Sequence, residues 1–117
     1  MEENFLRPII GEHLSGVCFV MDYLQLQINS SVLSVFNPLT VSVECRLWSR
    51  REAGWADALR ARIGRTVRSA YTTEDELTIE FDDDATFKVS LRSEDYQGPE
   101  AFMFDSPGRP TVVQQAG

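Results

Sequence analysis

The chain has 117 residues, 43% of them hydrophobic and 25% charged, with a net charge of −7. That suits a single globular domain, 1–117, able to bury a core without disulfide staples. It argues against non-specific nucleic-acid binding, which needs a basic surface; no apolar run approaches the roughly eighteen residues of a membrane span.

The start, "MEENFLRPII", is acidic and has no basic n-region before an apolar stretch. It therefore reads as a chain without a signal peptide, assigned to the cytoplasm. Gly11 then opens a strand at Leu14–Met21, and a period-two strand follows at Leu24–Ile28. Asn29-Ser30-Ser31 forms a polar turn before a third strand at Val32–Phe36, and Asn37-Pro38 marks another turn. "LTVSVECRLWS" predicts a fourth strand, with Val41, Val43, Cys45 and Leu47 inward and Ser42, Glu44, Arg46 and Trp48 outward. One helix is expected over about 50–63. Ser49 and Glu52 make a capping box, Trp55, Ala58, Leu59 and Ile63 form an apolar stripe, and Gly64 caps the end. Gly54 weakens its first turn.

From residue 62 the pattern returns. "RIGRTVRSAYTTEDELTIEF" lies over "IIGEHLSGVCFVMDYLQLQI" at an offset of 53 residues. Gly11 meets Gly64, and Leu24, Leu26 and Ile28 meet Leu77, Ile79 and Phe81. This predicts a pseudo-repeat of 9–48 and 62–104, with strands at Thr66–Thr72, Glu76–Phe81 and Thr86–Leu91. Asp82-Asp83-Asp84 occupies the place of Asn29-Ser30-Ser31 and lacks the spacing of a calcium loop, so it reads as a turn rather than a metal site. After the Gly98-Pro99 turn, Ala101–Phe104 predicts a strand that balances Val41–Leu47. The tail 105–117 offers a short edge strand at Thr111–Val113.

The glycine, the alternating L-x-[LI]-x-[IF] run, the Asp- or Asn-rich turn and "SLRSEDYQGPEAFMF" together resemble small uncharacterised bacterial β-rich domain families of unknown function. Glu94-Asp95-Tyr96 and Gly98-Pro99-Glu100-Ala101 are the most specific part. Some of these families are suspected to be immunity proteins of toxin systems. The resemblance implies a β-rich fold and brings no catalytic residues with it.

No residue pattern assembles a catalytic, cofactor or metal site. His13 stands alone, without a G-x-S-x-G context or a paired acid. Cys18 and Cys45 lie in apolar alternating runs and read as buried free thiols. The best binding or interface candidates are Trp48, Tyr71, Tyr96 and Glu100, aromatic side chains with a carboxylate beside them. Charge is divided: seven arginines against Glu52 and Asp57 over 46–68, and eleven acids against Lys88 and Arg92 over 72–105. That division permits a protein partner or a homo-oligomer, and equally suits two solvated faces of a monomer.

The expected architecture is α+β and mostly antiparallel β. Two repeated meanders of three to four strands form a roll or partly open barrel, with one helix on an open face. The expected function is a non-enzymatic interaction module, with an immunity-type protein as its specific form. The alternative is a small-ligand carrier or small enzyme with a pocket between the meanders.

Overall fold

The computed structural model describes residues 4–115. The protein is mostly antiparallel β with one short helix, α1. The first six strands are β1 Leu14–Phe19, β2 Leu24–Ile28, β3 Ser31–Val35, β4 Leu39–Val43, β5 Arg46–Trp48 and, after α1 (Trp55–Arg60), β6 Val67–Thr72. They are followed by β7 Glu76–Phe81, β8 Thr86–Ser90, β9 Glu100–Asp105 and β10 Val112–Gln115.

The strands make two five-stranded sheets, in the orders β1-β2-β3-β9-β10 and β5-β4-β8-β7-β6. Each sheet therefore joins three consecutive strands from one half of the chain to a terminal hairpin from the other half. Because β1, β10, β5 and β6 remain edges, the sheets do not close into a barrel. Registers correspond between them. Leu14 pairs Ile28 and Val67 pairs Phe81, each followed by a bulge; Val35 pairs Leu24 and Val89 pairs Leu77. The two first strands meet at a seam: Gly11 N donates to Val67 O at 2.8 Å and Gly64 N to Leu14 O at 2.7 Å. Both glycines have positive φ, 87° and 94°, which lets the chain turn into the seam.

Alternation explains the core. Leu24, Leu26 and Ile28 on β2, and Leu77, Ile79 and Phe81 on β7, point inward into one continuous cluster with Phe87, Phe102 and Phe104. Each such side chain contributes about 1.5–3 kcal/mol by leaving water. Thr78 is buried too, although it faces away from Leu77. Its cross-strand neighbours are the long side chains of Tyr71 and Lys88.

Three expectations need correction. The fourth strand is a hairpin: Glu44 and Cys45 take positive φ, 49° and 67°, and turn the chain between β4 and β5. Leu47 consequently points outward, 59% exposed, while Trp48 pairs with Val41 and packs on the core. The helix is shorter than expected. The Ser49–Glu52 contact forms, with Glu52 Oε1 accepting from Ser49 N and Oγ at 3.0 Å each, but Gly54 (φ 96°) breaks the run and helix begins at Trp55. Ile63 falls beyond its end and is 44% exposed. Both cysteines are exposed rather than buried: β1 is an edge strand leaving the core, and Cys45 sits in the turn.

Candidate functional site

The β1–β2 hairpin ends in an apolar tip. Val20 and Tyr23 exchange backbone hydrogen bonds of 2.8 and 3.2 Å, leaving Met21-Asp22 as a two-residue turn. Met21 is 92% exposed, Phe19 43% and Val20 36%. The Phe19 ring meets Trp55 edge-on at 6.0 Å, and the Arg60 guanidinium lies 5.7 Å from the same ring, within cation–π range. The β6–β7 hairpin has the corresponding closure 53 residues on, with Thr73 N donating to Glu76 O at 2.8 Å. There Thr72, Thr73 and Glu74 stand where Phe19, Val20 and Met21 stand. The backbone geometry thus does not require apolar side chains at the tip.

Beside the tip lies a small cleft of about 40 Å³. Phe19, Tyr23 and Trp55 form its aromatic lining. Val20, Leu24, Val35 and Leu39 form its aliphatic lining, and exposed Arg50 and buried Asn37 supply polar groups. Trp55 donates its indole N–H to Leu39 O at 2.9 Å, so its polar atom is used within the fold. Asn37 Nδ2 donates to Ser90 O at 2.8 Å, which ties the end of β3 to the end of β8. Asn37 Oδ1 is buried with no donor among the described residues. Leaving such an acceptor unpaired costs about 1–3 kcal/mol.

The four residues singled out from sequence are dispersed. Trp48 lies on β5, its face covered by the Arg46 guanidinium at 3.7 Å. Tyr71, 40% exposed, lies on β6 at the opposite edge of that sheet. Tyr96 lies ahead of β9 and Glu100 begins that strand in the other sheet; Tyr96 OH donates to Gln115 O at 3.4 Å and Glu100 pairs with Gln115. Sequence reasoning missed Phe19, Met21 and Asn37. The available signal was an apolar pair, Val20-Met21, at a hairpin tip where turn formers are usual. It was absorbed into the strand instead.

The aspartate turn is engaged in ion pairs. Asp83 pairs with the part-buried Arg62 and lies 3.6 Å from Arg65 Nε; its Oδ1 accepts from Ala85 N at 3.2 Å. Asp84 (φ 68°) pairs with Arg68 at 2.7 Å, and this contact raises the Arg68 pKa. His13 Nδ1 lies 2.9 Å from Thr66 Oγ1 on the exposed seam. Among the described residues no group of three or more His, Cys, Asp or Glu side chains could hold a metal ion, and no helix is long and apolar enough to cross a membrane.

No protein-family model, no curated protein and no solved structure matches the chain.

Proposed function

We propose that the protein is a non-enzymatic interaction module whose contact surface is centred on the β1–β2 tip. The observation that carries this reading is Met21, 92% exposed beside Phe19 and Val20. Exposed apolar clusters of this kind mark protein contacts, and the corresponding Thr-Thr-Glu tip shows that the fold can do without one. An immunity-type protein is the specific form of this reading, resting on the resemblance described above. The net charge of −7 and the exposed Glu74, Asp75 and Glu94 suit a basic partner held by charge complementarity. The cytoplasm is the matching compartment, since two exposed free thiols persist there in reduced form.

Native mass spectrometry on untagged protein from its own host tests the proposal, run beside Met21→Glu. A co-purifying basic polypeptide that is lost in the variant and dissociates as salt rises supports it. A bare 13.3 kDa species in both samples sinks it.

A further inference from the structure

Open sheet edges invite another strand, because their outward N–H and C=O groups lack partners. Proteins blunt them with covering segments, charges or short length. Three of the four edges here are blunted in these ways. β1 is flanked by α1, and its start is held in the seam, where Leu14 N donates to Arg65 O at 3.0 Å and Leu14 O accepts from Gly64 N. β6 is flanked by the short turn Arg7–Ile9; its Ala70 O accepts from Asn4 Nδ2 at 2.7 Å, and it carries Arg68. β5 has only three residues, and Arg46 is one of them.

β10 is the exception. Val112-Val113-Gln114-Gln115 contains no charge and no proline, and it lies outermost in its sheet with its last three residues exposed. Among the described residues, only Gln115 O, beyond the bulge that ends the regular pairing, takes a backbone partner from outside the strands, the Tyr96 hydroxyl. Val112 joins Phe5 and Phe104 under the sheet, so Val113 faces out beside Met103 and is 38% exposed. The row that crosses the outer face at this level, Cys18, Gln25, Ser34, Met103 and Val113, carries no charge. The corresponding row of the other sheet contains Lys88, which pairs with Glu76 at 3.5 Å.

We propose that β10 pairs antiparallel with β10 of a second copy of this chain, joining two five-stranded sheets into one. A two-fold axis perpendicular to the sheet does this and keeps both outer faces on the same side. Val113 then meets its own counterpart, and Val112 meets Gln114. The occupant is a second copy because the strand is complementary to itself. A chain of net charge −7 meets itself without repulsion only where carboxylates are absent from the contact. Glu100 and Asp105 lie one strand back, on β9, and Asp105 accepts from Thr111 Oγ1 at 2.5 Å. This surface stands apart from the β1–β2 tip, because β1 and β10 are opposite edges of one sheet.

The test is light scattering and sedimentation of the full chain from about 10 µM to about 1 mM. The shared strand is short, so a weak dimer is expected, with mass rising from 13.3 kDa toward twice that value across the range. Backbone amide exchange at Val112, Val113 and Gln114 should slow as the dimer forms. Val113→Lys, an exposed change that sets like charges opposite each other, should weaken the dimer about fivefold. Leu47→Lys on the other sheet's edge strand and Met21→Glu at the tip should leave it intact. A monomer mass up to 1 mM overturns the proposal. So does a dimer undiminished in Val113→Lys, a dimer weakened as much by either control, or exchange that slows elsewhere and not in β10. Because Met21→Glu removes the proposed protein partner and spares the dimer, the two surfaces are read separately.

Discussion

Glu52 shows how a sequence motif can form while its usual consequence does not. Its carboxylate accepts from Ser49 N and Oγ, and these bonds, the backbone one foremost, hold its pKa below the usual glutamate range. The helix nevertheless waits until Trp55, because Gly54 adopts φ 96° and lies against Trp48. A Cβ at position 54 would stand 2.6 Å from Trp48 Cζ3. Gly54→Ala should therefore lower the unfolding free energy by roughly 2 kcal/mol, combining left-handed strain with a forced shift of the indole. Urea unfolding measures this, and an unchanged midpoint would show that the ring yields freely. For Glu52 the sign follows from the depressed pKa. Its stabilisation is complete above the unfolded-state pKa and is lost as pH falls through the lower folded-state value. A carbon-detected titration should place Glu52 below the usual glutamate range, and Ser49→Ala should raise it only part of the way, because the backbone bond from residue 49 remains.

At the scale of elements, the two hairpins β1–β2 and β6–β7 act as a comparison within one molecule. Their registers correspond, their tips close alike, and their tip side chains differ in polarity. Replacing Met21 by Glu should change stability by no more than about 0.5 kcal/mol, because Met21 is 92% exposed. Thermal unfolding checks this; a loss of several kcal/mol would make the tip part of the core and remove the argument for a contact surface. The alternating strands themselves were legible in the residues: β2 and β7 have the expected bounds, and the antiparallel, β-dominated fold is the one anticipated. The β4–β5 turn was not. Glu44-Cys45 is not an Asn-Gly or Asp-Gly pair, so nothing local announced the reversal that exposes Leu47.

For the whole molecule, the crossing of hairpins between sheets is the defining feature. β4 pairs with β8 rather than with β3, and β9 pairs with β3 rather than with β8. Neither half can complete its own five-stranded sheet, since each lends its last two strands to the other. Chain ends placed in the exposed 50–53 loop should therefore give two interdependent pieces. Co-expressed fragments 1–53 and 54–117 should co-purify as a folded pair. Each alone should lack a cooperative transition in circular dichroism, because its apolar face stays open. A fragment that unfolds cooperatively by itself would contradict the shared core.

The sequence by itself determined most of the strands, β2 and β7 to the residue, and which face of those two is apolar. A period of two is written in neighbouring residues and needs no distant partner. Only the tertiary structure decided which strands are neighbours, which are edges, and where their side chains emerge. It scattered Trp48, Tyr71, Tyr96 and Glu100 across both sheets, and it brought Asn37, Arg50 and Trp55 beside the β1–β2 tip. The physical reason is the crossing itself. A strand's pattern records that it has a buried face, but the partner that buries it lies up to several strands away in the chain, and no local residue encodes that choice.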